Sequence, residues 1–313
     1  MRRRAVVVLS VAALIASAPQ LARAEDNDLT LERLIGPPSV AGTSPTITTA
    51  VRSAYAGLAS ELGVLVAPRP LQPADSLGWS GFAPNVDYSI TQINRDADYW
   101  QKGARSVSGL FLGTVGVTVR KGIWLPFPSF ELSVGGHKIL GSGMFTLELA
   151  AKLALHEGFH GWAIPSIALR VAVAHLFGSP QIGLTVLEAG VLVSKRFAIG
   201  GGLQLDPYLG AAAIISFASS QVIDTTPNVD AFRQGPNAPD ENANITLPDL
   251  DPLPRFRLHG GMRLKASLFS FTAEAAYVLC NSTGRNCQHD GSIEVVDRSL
   301  GQLQVNIAAG VVY

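Results

Sequence analysis

From about residue 82 onward, apolar and polar positions alternate along the chain. Phe111, Val115, Val117 and Val119 are interleaved with Thr114, Gly116, Thr118 and Arg120, and Phe130, Leu132 and Val134 with Glu131, Ser133 and Gly135. After Pro165 the same pattern sets Ile167, Leu169, Val171 and Val173 against Ser166, Ala168, Arg170 and Ala172. A period of two puts successive side chains on opposite faces of a strand. "FTLELAAKLAL" (145–155) is less decisive. As a strand it gathers Phe145, Leu147, Leu149, Leu153 and Leu155 on one face, but its Ala, Leu, Glu and Lys residues are good helix formers. Its neighbours decide for a strand. In 182–196 the alternation changes phase near Leu187, which predicts a β-bulge.

The pattern predicts ten strands, near 82–93, 108–121, 128–140, 144–155, 165–177, 182–196, 201–217, 255–266, 268–279 and 301–313. At roughly 10–14 residues they match the about 9–11 that a tilted membrane-crossing strand needs, and exceed the roughly 5–6 typical of soluble strands. The predicted fold is all-β: an antiparallel up-and-down transmembrane β-barrel of about 10 strands (roughly 8–12) over residues 82–313. Lipid offers no water to an unpaired backbone group, so a sheet that crosses it must close on itself. The longest connections, 94–107, 218–254 and 280–300, are the first, seventh and ninth. With both termini on the periplasmic side, all three fall on the outer side, where barrels of this kind carry their long loops.

Composition agrees. Charged residues make up 15% of the 313, against about 25% in typical soluble domains. The balance of 24 basic and 24 acidic residues excludes a nucleic-acid footprint. Outside the N-terminus no apolar run reaches the roughly 20 residues of a membrane helix. The first residues, "MRRR" then "AVVVLSVAALIASA" then Ala22-Arg23-Ala24, read as a secretory signal peptide over 1–24. Export puts Cys280 and Cys287 in a disulfide-permissive compartment, close enough in sequence to close a small loop.

The last residues, "QLQVNIAAGVVY", put Leu303, Val305, Ile307, Ala309, Val311 and Tyr313 on one face. Together with the signal peptide and the pattern over 82–313, this resembles the bacterial outer-membrane β-barrel proteins, whose closing strand ends in an aromatic residue, usually Phe. "SKRFAIGGGLQLDPYLG" (194–210) has the strand, tight turn and strand form of that family. The resemblance implies the outer membrane of a Gram-negative bacterium, contact with its lipid, and reading of the strand that ends at Tyr313 by the barrel-assembly machinery. It implies no cofactor and sets no oligomeric state.

Function is less determined. By parity Arg255, Arg257, His259, Arg263 and Lys265 share the inward face of one strand. Like charges in a confined lumen need partners, water or an anion. Glu131, Glu148, Asp206 and Glu274 also point inward by parity. With a wet lumen the basic stripe makes a narrow passive channel for small solutes. With an ion-paired lumen the barrel is closed, since about ten strands is near the size that side chains can fill. It then acts structurally or binds partners through its extracellular loops, 218–254 and 280–300.

A third candidate is "HEGFH", with His156, Glu157 and His160, a periplasmic zinc-hydrolase motif when it lies on a helix. Here it falls in the fourth connection, where Gly158 and Gly161 suit a turn. Residues four apart in a strand are about 13 Å apart, too far to share a metal. His156 and His160 are therefore weak metal candidates, with Glu188 as a distant third, and the chain is expected not to be an enzyme. Phe159, Trp162, Trp124 and Phe127 instead suit a membrane-edge aromatic girdle. Residues 25–81 do not alternate. They suggest a helix near 45–61, capped by Ser44 with Pro45 first, followed by a linker, "APRPLQP". This segment is a periplasmic extension, a disordered leader or a plug in the lumen.

Overall fold

A computed structural model describes residues 26–36, 45–107, 109–124, 129–158, 164–200, 202–225, 244–280, 297 and 299–313. Ten long strands follow one another round a closed wall: β1 (Phe82–Gln92), β2 (Phe111–Ile123), β3 (Phe130–Ile139), β4 (Phe145–His156), β5 (Ser166–Phe177), β6 (Ile182–Ser194), β7 (Leu203–Ser220), β8 (Leu253–Ala266), β9 (Phe269–Cys280) and β10 (Gln302–Val311). Each pairs antiparallel with the next. The seam closes between β1 and β10, from Asn85 opposite Gly310 to Thr91 opposite Gln304. Short strands lie outside the ring: Phe197–Gly200 pairs with the start of β7, and Ile223–Asp224 pairs with Asn244–Ile245 in the seventh connection.

The predicted bulge at Leu187 is not there. The β5–β6 and β6–β7 pairings run through it without a shift, and Ile182, Leu184, Val186 and Glu188 all face inward. The change of phase was chemical. At that end of the barrel the inner face is apolar because something apolar packs on it. A register irregularity does occur in β4, between Ala154 and His156.

The packing element is a helix from the N-terminal segment. The first helix, α1 (Leu31–Ile35), precedes α2 (Thr49–Val66), and α3 (Asp98–Gly103) lies in the first connection. Sequence reading began the second helix at Pro45 with Ser44 as its cap. Ser44 lies outside the described residues, and Thr48 is the cap, its hydroxyl accepting from the Val51 amide at 3.3 Å. Thr46, Ile47 and Thr48 are β-branched and resist helix, which delays the start. Pro68 stops the helix, because the residue before a proline avoids helical geometry.

From Tyr55 to Val66 every residue of α2 is buried. A helix apolar on all sides has no solvent face to offer and must sit inside. Leu58, Leu62 and Leu65 share one cluster with Ile139, Leu176, Ile182, Leu184, Ile214 and Val278 of the wall. At Gly63 the helix touches β7 so closely that a Cβ would collide with the Ser216 side chain. The described residues among 26–81 thus add no strand to the wall, and from Tyr55 to Ala67 they are buried.

The outer surface is the reverse of a soluble protein's. Val86, Val134, Leu149, Val171, Val191, Leu258 and Ile307 point outward and are exposed. A continuous apolar belt of this kind far exceeds the few hundred Å² that soluble monomers expose. Exposed aromatics mark both rims: Trp79, Trp124, Phe197, Phe269 and Tyr313 at the mouth where β1 starts, and Phe111, Phe145, Phe177, Phe217 and Tyr277 at the other. Of the girdle expected around the second and fourth connections, Trp124 is in place; Phe127, Phe159 and Trp162 lie outside the described residues.

Candidate functional site: the barrel interior and its outer mouth

All of the basic and acidic residues singled out from β3, β4, β7, β8 and β9 point into the barrel. Arg255, Arg257, His259, Arg263, Glu131, Glu148, Asp206 and Glu274 are buried, and Lys265, at the mouth where β1 starts, is partly exposed. They do not form one site. Arg263 pairs with Asp206, its Nη2 at 2.6 Å and Nε at 3.0 Å from Oδ2. Arg257 pairs with Glu188, which also holds Arg170. Glu131 lies 3.3 Å from Lys152 Nζ and 3.6 Å from Arg120 Nη1. Glu274 accepts from Tyr208 and from Asn306, each at 2.9 Å. His137 bridges Asp87, 3.2 Å from Nε2, and Glu148, 3.9 Å from Nδ1. Arg255 donates to Gln302 and to the Leu300 carbonyl. His259 is buried with neither ring nitrogen hydrogen-bonded among the described residues.

Among the described residues the buried cations are Arg69, Arg120, Lys152, Arg170, Arg255, Arg257 and Arg263. The buried carboxylates are Glu61, Asp75, Asp87, Glu131, Glu148, Glu188, Asp206, Glu274 and Asp297. The interior is therefore close to neutral, not basic.

Through this network runs the chain from α2 to β1. It is held mainly by its backbone. Arg257 donates to the Pro68 carbonyl at 2.7 Å, and Lys152 to those of Pro73 and Asp75 at 3.1 and 2.9 Å. The amides of Leu71, Ala74, Ser76 and Leu77 donate to Glu274, Ser194, Glu157 and Glu131, at 3.2, 3.0, 2.7 and 3.2 Å. Gln72 accepts from Arg120 and Lys152, and Asp75 accepts from Arg196. Pro68, Pro70 and Pro73 have no amide to satisfy. Leu71 holds a positive φ of 44°, uncommon for a residue with a Cβ.

At the opposite mouth the loops close over α2. The fully buried Glu61 accepts from Tyr99 Oη and Trp100 Nε1, both at 2.7 Å, from the Asn94 amide at 2.9 Å and from the Leu300 amide at 3.4 Å. Burial and the adjacent Glu61 carboxylate push the Tyr99 phenol well above its usual pKa, so it remains a donor. Beside this latch lies a cleft of about 520 Å³ with Leu34, Val51, Ala54, Asn94, Asp98 and Tyr99 among its walls.

The HEGFH stretch has no helix among its described residues. His156 ends β4, Glu157 is occupied with the Ser76 amide, and His160 lies outside the described residues. Cys287 also lies outside them, and of Cys280 only the backbone, at the end of β9, is described. Sequence reading missed Arg69, Gln72 and Asp75, which sit in a segment without alternation. It also missed Glu188 as an inward ion-pair partner; unbroken parity along β6 would have found it.

Closure, an even number of strands, an apolar exterior between two aromatic rims and a polar, ion-paired interior define the class: a transmembrane β-barrel of the bacterial outer-membrane type. No protein-family model and no curated protein matches the chain. Solved structures that overlay on it include the outer membrane protease OmpT from Escherichia coli (10% identity, 74% of this chain and 96% of that one, TM-score 0.35). Others are the translocator domain of autotransporter NalP from Neisseria meningitidis (9%, 76% and 89%, 0.38) and Neisserial surface protein A (11%, 74% and 94%, 0.30). Overlaps this shallow carry nothing about function to this chain.

Proposed function

We propose that the protein is a closed outer-membrane barrel, plugged by its own N-terminal segment, that works through its outer mouth and does not pass small solutes. The observation that carries this reading is the occupied lumen. The second half of α2 fills one half, and residues 67–77, tied to inward side chains of seven strands, run through the other. A passive channel needs a continuous wet path, whereas here the proposed lining residues other than His259 and Lys265 are paired with one another, with other residues of the wall or with the plug. The surface left for binding is the mouth built from α1, α3 and the long connections, with the cleft beside Glu61. Outer-membrane lipid covers the apolar belt, and reading of the strand ending at Tyr313 by the barrel-assembly machinery belongs to the same proposal.

Purified full-length protein reconstituted in planar lipid bilayers is expected to give no steady conductance while remaining heat-modifiable on gels. Reproducible channels from the native chain, reduced or re-selected by neutralising Arg257 and Arg263, would overturn the proposal in favour of the channel.

A further inference from the structure

We infer that the barrel displays its own N-terminal end on the outer surface. The chain enters the fold at the mouth that carries the long connections, crosses the lumen, and begins β1 at the opposite mouth. Both ends of this path are fixed by hydrogen bonds. At the first mouth the Asn27 amide donates to the Gly141 carbonyl at 2.8 Å and the Ser106 amide to the Asp26 carbonyl at 2.7 Å. The Gly143 amide donates to Asp28 Oδ1 at 2.7 Å, and Gln181 Nε2 to Glu32 at 2.7 Å. Leu29 pairs with Ala104 as an isolated bridge. These partners lie in the first, third and fifth connections, all at one end of the barrel.

At the other mouth the partners change side. The Ser76 amide reaches Glu157 in the fourth connection, and the Gly122 amide at the end of β2 donates to the Gly81 carbonyl at 3.0 Å. Between the two mouths, residues 55–70 and 72–75 are buried along the lumen.

Two physical arguments give the path its direction in the membrane. Connections at the first mouth include the longest ones, 93–110, 221–252 and 281–301, whereas at the other none is longer than 157–165. Long connections mark the outer side of such barrels and short turns the periplasmic side. Second, α2 is buried on every side from Tyr55 to Val66, with its one carboxylate, Glu61, fully hydrogen-bonded, so the crossing is part of the packed core. Asp26, the first described residue, is therefore held at the outer mouth beside the first and third connections. On this path Asp26 lies at the outer mouth, while β1 starts and β10 ends at the other.

The test is labelling on intact cells with a polyethylene-glycol maleimide too large to cross the outer membrane. It uses full-length chains with Cys280 and Cys287 replaced by serine and a single cysteine at Asp26→Cys or Ser80→Cys, both exposed positions. A parallel variant keeps the native cysteines and carries an epitope just before Asp26, read by antibody on intact cells. Only heat-modifiable, folded protein is scored. The expected result is labelling at 26 and epitope binding on intact cells, with labelling at 80 only after the outer membrane is opened. Labelling at 26 only after opening, equal labelling of both sites on intact cells, or no labelling at 26 under either condition overturns the inference. A conducting barrel with this labelling pattern would sink the proposed closed state and leave the crossing intact, so the two failures are distinguishable.

Discussion

Replacing Glu188 by alanine is expected to destabilise the barrel by about 3–5 kcal/mol, the cost of breaking a buried ion pair from one side. Glu188 is buried and shares its carboxylate between Arg170 and Arg257. Its removal leaves two guanidinium groups facing one gap, and among the described residues Arg257 keeps a hydrogen bond to the Pro68 carbonyl. Water cannot easily repair the loss, because neighbouring space is filled by α2 and residues 67–77. The readout is the urea midpoint in detergent or vesicles, followed by the heat-dependent gel shift. Replacing Glu188, Arg170 and Arg257 together by apolar residues of similar volume is expected to recover most of the loss, since a buried triad often only breaks even against hydrophobic packing. A change within about 0.5 kcal/mol, as at ordinary surface sites, for Glu188→Ala alone would mean that this lumen is wet.

The second large effect belongs to Glu61. In Glu61→Ala, four donors lose their acceptor at once: Tyr99 Oη, Trp100 Nε1 and the amides of Asn94 and Leu300. A buried donor left unsatisfied costs about 1–3 kcal/mol. The loops that carry these donors can swing out to water, so the expected result is local opening of the outer mouth with the strand wall intact. Trypsin cleavage at Arg95, Lys102 and Arg105 should then accelerate on the order of a hundredfold, since a cut in a rapidly reclosing segment tracks the open population. Glu61→Gln keeps one acceptor oxygen and should fall between. Unchanged cleavage in Glu61→Ala would show that the apolar contacts of α2 hold the mouth without this carboxylate.

The wall was legible in the sequence because lipid outside and polar groups inside impose a period of two on nearly every strand. It was misread where the interior is not polar. Ile182, Leu184 and Val186 carry the same kind of side chain as the lipid-facing residues of β6, so alternation vanished and a bulge was inferred. The cause, α2, lay more than a hundred residues upstream. That helix carried its own sign: "AYAGLASELGVLV" has no polar face, which in a segment outside the strands calls for burial. Parity alone turned Arg255, Arg257, His259, Arg263 and Lys265 inward, but of these Arg263 pairs with Asp206 directly opposite on β7, and Arg257 and Arg255 reach Glu188 of β6 and Gln302 of β10, each two strands away, with Arg257 also donating to Pro68. Pairing of that kind depends on closure and register, which periodicity does not encode. The apparent basic stripe therefore gave way to a nearly neutral interior once Glu188, Asp75 and Asp87 were in place.

The central claim is that residues of the N-terminal segment lie inside the closed wall. Ala74 and Ser194 offer the most direct test, because the Ala74 amide lies 3.0 Å from Ser194 Oγ, both buried inside the wall at the end of β6. With Cys280 and Cys287 replaced by serine, Ala74→Cys and Ser194→Cys are introduced together and the protein is oxidised in native outer membranes. The account predicts a disulfide in the folded, heat-modifiable species, seen as a mobility shift that reductant reverses. A heat-modifiable barrel in which both cysteines stay free and react with a small maleimide would contradict it.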